Sequence, residues 1–158
     1  MSSLIQKLIS DGLLEEFDKP ISAVEKRLED GKQRLLFAKT SFTKDVNEDF
    51  LDAIYISIYD AVRFVGEAFL LLNGYRAKLK DHHKTVINVT RELMEDEEDM
   101  KNVLKRLNKM RKKRHELDYD FDAYGASRVA ISKAMEDAEK FVSKVSKALV
   151  KKKSPAKN

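Results

Sequence analysis

The residues best suited to chemistry stand in one run, Lys109-Met110-Arg111-Lys112-Lys113-Arg114-His115-Glu116-Leu117-Asp118-Tyr119-Asp120-Phe121, which carries cations and a histidine toward a polar break. Met100, Val103, Leu104, Leu107, Met110, Arg114 and Leu117 recur at spacings of three and four, so Arg114 belongs to the apolar stripe of a helix. A guanidinium cannot shed its charge, and taking it out of water costs several kcal/mol unless an anion meets it. Something must therefore face Arg114. The candidates are a carboxylate such as Asp60 or Glu67, forming a structural ion pair, or a bound phosphate. Lys112, Lys113 and the terminal lysines are either solvated charge or salt-sensitive contacts to nucleic acid.

Other chemistry is poorly supplied. His82 and His83 are adjacent, so on a helix they diverge, and no third ligand stands at a suitable spacing. They read as a surface pair at a helix start, and no metal or other cofactor is expected. Gly-rich phosphate loops, zinc-protease motifs and nucleophile elbows are missing, and the acidic run Glu95 to Asp99 lacks the glycine and oxygen spacing of a calcium loop. Without cysteine there are no disulfides and no thiolate sites.

The elements that position these residues follow from composition and period. A chain of 158 residues, 42% apolar and 37% charged, is one domain able to bury a core unaided. Its net charge of +4 comes from 31 cations against 27 anions, with Lys151 to Lys153 contributing much of the excess, so local clusters say more than the sum. No run approaches the roughly 18 apolar residues of a spanning helix, and Met1 to Lys7 does not resemble a signal peptide. A cytoplasmic protein without a membrane association is expected.

The 3.6-residue period dominates and no segment alternates cleanly, so the fold class is all-α, an antiparallel helical bundle without required strands. Helices are expected over Leu4 to Ser10, Ile21 to Phe42, Asn47 to Leu72, His83 to Met94, from the acidic run 95–99 to about Leu117, and Asp122 to Val150. Gly31 should lie within the second helix despite a propensity cost of about 1 kcal/mol relative to Ala. The third is apolar almost all round apart from a strip of Asp49, Asp52, Asp60, Arg63 and Glu67. It is therefore the central helix, or its second face closes a dimer. Residues 1–150 form the bundle, and Lys151 to Asn158 form a mobile basic tail.

Four features together carry a family resemblance. They are the central helix ending in Asn73-Gly74-Tyr75-Arg76, the His82-His83 pair, the long helix ending in Arg114-His115-Glu116-Leu117-Asp118-Tyr119-Asp120, and the amphipathic last helix. The chain resembles the HEPN superfamily, all-helical domains of prokaryotic toxin-antitoxin and RNA-processing systems. In its ribonucleases an arginine, a polar residue and a following histidine end a long helix, and two protomers join these signatures in one metal-independent site. Arg114 matches the arginine and His115 the polar position, while Tyr119 stands where the histidine would be. Tyrosine, with an ordinary pKa of about 10, is a poor base at neutral pH. The order Arg-polar-x-x-Asp-Tyr is similar to a branch encoded beside small nucleotidyltransferases.

What the resemblance implies is a homodimer whose groove receives RNA or a nucleotide phosphate. Arg114 would clamp the anion, Tyr119 would orient phosphate or ribose, and Arg111 and His115 would enlarge the positive field. Arg114 and Tyr119 are also its candidate catalytic residues. A protein-interaction bundle and a metal-independent ribonuclease toxin are the alternatives.

Overall fold

The computed structural model describes residues 1–120 and 124–154, and among them six α-helices and one two-stranded ribbon. α1 spans Ser3–Ser10 and α2 spans Ile21–Ser41. The central α3, Leu51–Leu72, follows a single 3-10 turn, Glu48–Phe50, at which the Asn47 side chain accepts from the Asp49 amide. α4 covers His82–Leu93, α5 Lys101–Tyr119 and α6 Arg128–Lys153.

Cross-links between helices give their directions. Arg27 meets Glu67 and Arg34 meets Asp60, so α2 and α3 are antiparallel. Glu25 meets Lys153 and Lys39 meets Glu139, setting α6 antiparallel to α2. Arg106 meets Asp137 while Lys113 donates to the Tyr124 carbonyl, which sets α5 antiparallel to α6. The four long helices thus alternate in direction around a core that includes Ile58, Tyr59, Val62, Leu107, Ile131 and Phe141. The nearly all-round apolarity of α3 is explained by this cover: its buried residues include Leu51, Ile54, Tyr55, Ile58, Tyr59, Val62, Val65 and Phe69. Ala53, Ile56, Ser57, Asp60, Arg63, Phe64 and Glu67 remain on its less covered stripe.

Gly31 lies inside an unbroken α2 because a side chain there has no room. A Cβ would stand 2.6 Å from Val65 Cγ2 and 3.1 Å from the Ala61 carbonyl oxygen. Gly74, with φ at +83°, ends α3 in the left-handed region where only glycine is unstrained.

Four expectations are corrected. A ribbon exists: β1, Leu14–Glu16, pairs antiparallel with β2, Tyr75–Ala77, in the register Leu14 to Ala77 and Glu16 to Tyr75. Three residues per strand are too few to show alternation, and Arg76 and Lys78 both reach Glu15 across the pair. The acidic run does not open α5, which begins at Lys101; Glu97 and Asp99 instead hold Lys144 of α6 at 2.6 and 3.0 Å. α6 starts at Arg128, where Ser127 accepts from the Ala130 amide, rather than at Asp122, which lies outside the described residues. At its other end α6 runs past Val150, so Lys151 to Lys153 form its last turn, Ser154 caps it and Lys153 reaches Glu25 at 2.9 Å; residues 155–158 of the expected tail lie outside the described residues.

Candidate functional site

The last turns of α5 bring Arg114 against the middle of α3. Its side chain is 23% exposed, with Nη1 2.6 Å from Asp118 Oδ2 one turn on and Nη2 4.0 Å from Asp60 Oδ1. The position on the apolar stripe therefore has carboxylate company: Asp118 closely and Asp60 at arm's length. Glu67 is occupied elsewhere. Arg114 Nε and Asp60 Oδ1 are buried without a hydrogen-bond partner, as is Arg63 Nε on the same stretch of α3. Each such atom is costly to leave unpaired.

Tyr59, Arg63 and Glu67 are spaced by four, which places them along one face of α3, opposite the start of α4. Glu67 Oε1 accepts from Arg63 Nη1 at 2.7 Å and lies 2.6 Å from His82 Nε2, and Arg27 Nε approaches Oε2 at 3.2 Å. Burial pushes the Glu67 carboxyl up, but the His82 hydrogen bond and the charges of Arg63 and Arg27 outweigh it and leave it below the usual range. His82 Nδ1 stands 3.1 Å from the Lys78 carbonyl oxygen, so both ring nitrogens face acceptors. That geometry suits an imidazolium, and the Glu67 hydrogen bond raises the His82 pKa accordingly.

The neighbouring His83 is its opposite. Its ring stacks on Tyr59 at 5.6 Å and 26°, with Nδ1 3.2 Å from the Tyr59 hydroxyl. Burial, followed by the positive charges of Arg63, Arg114 and His82, lowers its pKa to about 4, leaving it neutral at pH 7. Tyr59 is fully buried, and burial pushes its hydroxyl well above the usual phenol range. Arg63, Arg111 and Arg114 all lie close enough to Tyr59 to counter that rise.

A second group of guanidiniums adjoins the first. Arg27, Arg34 and Arg63 stand 4.6, 4.8 and 4.7 Å from the centre of the Phe64 ring, which is shared among three cations. Arg34 is also 3.9 Å from Asp60. Two grooves open beside this cluster. One of about 520 Å³ runs along Asp30, Arg34, Phe37, Ser57 and Phe64. The other, about 680 Å³, is bounded by Glu15, Arg27, Glu67, Leu70, Arg76 and His82.

Of the four residues singled out on α5, Arg111 and Arg114 share the side facing Tyr59. Arg111 Nε is 3.3 Å from Asn108 Oδ1. His115 and Tyr119 occupy the next face round the helix, where their rings meet at 4.8 Å and Tyr119 is 68% exposed. Within one chain Tyr119 is thus brought to His115 and not to Arg114. The sequence alone gives His83 as half of a surface pair and Arg63 as part of a polar strip, and assigns no site role to Tyr59 or to Arg27 and Arg34 beside Phe64. The spacing of Tyr59, Arg63 and Glu67 was the available signal, and its meaning depended on knowing that α4 begins opposite that face. Among the described residues no three His, Cys, Asp or Glu side chains are arranged to hold a metal, and no helix is long and apolar enough to cross a membrane.

These observations define a helical bundle with a cationic cluster where the last turns of its long fifth helix meet the central one. The model of the HEPN domain matches residues 24–149, and the chain belongs to the HEPN family. No curated protein and no solved structure matches it.

Proposed function

We propose that this HEPN bundle binds RNA or a nucleotide phosphate on the face where α5 crosses α3, with Arg114 as the principal anion contact and Arg111 extending the positive field. The observation that carries the reading is the convergence of Arg63, Arg111 and Arg114 on Tyr59, with the Nε donors of Arg63 and Arg114 buried and unpartnered. Guanidinium has five donors, so Arg114 can keep Asp118 on Nη1 while Nη2, only loosely met by Asp60 at 4.0 Å, is offered to a phosphate oxygen. His115 and Tyr119 present a tilted pair of rings on the adjacent exposed face, a position suited to a second protomer or to a ribose and base.

The working unit in this reading is a homodimer of the helical bundle, in the cytoplasm, paired with a small nucleotidyltransferase as a toxin-antitoxin component. Exposed Leu36 and Phe37 on α2, beside the partly covered Phe64, support a face that another chain covers. The same patch favours the second reading, a protein-interaction bundle. Copurification of a nucleotidyltransferase with a chain that binds no RNA would select it.

The test is RNA binding by fluorescence anisotropy across a salt series. Arg114→Ala should weaken binding and lower the log–log salt slope by about one, the loss of one phosphate contact. Equal affinity and equal slope would remove the clamp from the account. Incubating RNA in EDTA with the parent, Arg114→Ala and Tyr119→His separates binding from metal-independent cleavage.

A further inference from the structure

Tyr59 constrains what His83 can offer. The Tyr59 hydroxyl is buried and among the described residues its one hydrogen-bond partner is His83 Nδ1. A buried O–H left without an acceptor is costly, so Tyr59 donates and Nδ1 accepts. A neutral imidazole whose Nδ1 is an acceptor carries its proton on Nε2. The ring is half-buried, and Nε2 has no protein partner among the described residues. His83 therefore presents a fixed N–H donor at the edge of the cluster.

The surroundings of that donor favour an anion. From α3 it is faced by Tyr59, Arg63 and, more weakly, the Glu67 carboxylate, and from α5 by Arg114; His82 on its own helix is engaged by Glu67. The negative groups are already spoken for in part: Glu67 by Arg63, His82 and Arg27, and Asp60 by Arg34 and Arg114 at about 4 Å. Arg63 Nε and Arg114 Nε are buried without a hydrogen-bond acceptor, and the buried carboxylate oxygens Asp60 Oδ1 and Glu67 Oε2 have no hydrogen-bond donor, so the two guanidiniums contribute positive charge here rather than reachable Nε–H groups. An oxyanion at His83 Nε2 gains from the nearby guanidinium charges of Arg63 and Arg114, which water or a neutral amide does not.

We infer, building on the function proposed above, that His83 is a phosphate-contacting residue of the same site, donating Nε2–H to an oxygen of an RNA backbone or nucleotide phosphate beside Arg63 and Arg114. In this tautomer Nε2 has no lone pair to take a proton. His83 thus holds the anion rather than activating a ribose hydroxyl.

The test uses the full chain with ¹⁵N-labelled histidine and long-range ¹H–¹⁵N spectra at pH 7. The free protein should show His83 protonated on Nε2 alone. Inorganic phosphate, adenosine 5′-monophosphate and a short single-stranded RNA are then added in turn, and His83 Nε2 should shift with at least one of them. A response to RNA alone identifies the backbone diester, and a response to the mononucleotide identifies the terminal phosphate. His83→Phe, which keeps a ring on Tyr59 and removes the donor, should weaken binding of the responding probe about tenfold, with His83→Gln restoring part of the loss. An Nδ1–H tautomer, or an unmoved His83 signal where Arg114→Ala still weakens RNA binding, overturns this inference and leaves the Arg114 clamp standing. Binding indifferent to Arg114→Ala as well removes both.

Discussion

Replacing Gly31 by alanine tests how closely α2 must approach α3, and with it the placement of Arg27 and Arg34 around Phe64. In isolation the substitution favours a helix by about 1 kcal/mol. Here the new Cβ meets Val65 Cγ2 at 2.6 Å, the Ala61 carbonyl oxygen at 3.1 Å and the Val65 amide nitrogen at 3.2 Å. The first contact needs Val65 to move, but its side chain is buried and β-branched, with few rotamers open to it. The other two are backbone atoms of α3, relieved only by separating the helices. Overpacking of this kind costs about 1–3 kcal/mol, so the net loss should be about 1 kcal/mol. With a urea slope of about 1–3 kcal/mol/M, the midpoint should fall by about 0.5 M in circular dichroism. Val65→Ala removes one of the three clashes, so the double variant should be more stable than the two separate losses sum to, by about 0.5–1 kcal/mol. A Gly31→Ala protein at least as stable as the parent, with strictly additive double-variant behaviour, would refute the close approach.

Glu67→Gln should lower stability at pH 6 by about 1–3 kcal/mol, because Arg63, His82 and Arg27 lose their shared carboxylate. The sign with pH follows from two groups. His82, raised from 6.5, contributes fully below that value and its contribution fades as pH rises through its folded pKa. Glu67, lowered from 4.5, contributes above that value and its contribution is lost as pH falls through its folded pKa. The gap between parent and variant should be widest between about pH 4.5 and 6.5 and narrow on both sides, and a gap flat from pH 3 to 9 in urea unfolding would contradict the pairing. Asp137 is 1% exposed and takes Arg106 through two hydrogen bonds of 2.8 and 3.1 Å, so Asp137→Ala should cost about 2 kcal/mol; an unchanged melting temperature would deny the pair a structural role.

Much of the bundle was legible because α-helical period and stop signals survive in single residues. Asp11-Gly12 and Asn73-Gly74 mark ends where the glycines do adopt positive φ, and the α2, α3 and α4 spans fall within a few residues of expectation. Arg114 was readable as a cation needing company, since its place on the stripe is a property of one helix. The companions belong to tertiary structure: Asp118 is local, while Asp60 and Tyr59 come from another helix. The histidines were misjudged as a surface pair for the same reason. Nothing in His82-His83 reveals that Glu67 will claim one ring and Tyr59 the other. The ribbon escaped notice because its strands are three residues long and its register is fixed by pairing across the chain.

That ribbon ties the residues ahead of the matched domain to the domain itself. The HEPN match begins at residue 24, yet Ile5, Leu8 and Leu14 ahead of it build a second small core with Leu70, Ala77, Val86 and Val89. Gly12 and Glu15 also wall the larger groove that ends at His82 and Glu67. The leading segment is therefore an added layer packed outside the matched residues. Substitutions confined to its surface, at Glu15 for example, would reshape and recharge the mouth of that groove while leaving the arginines of α3 and α5 in place.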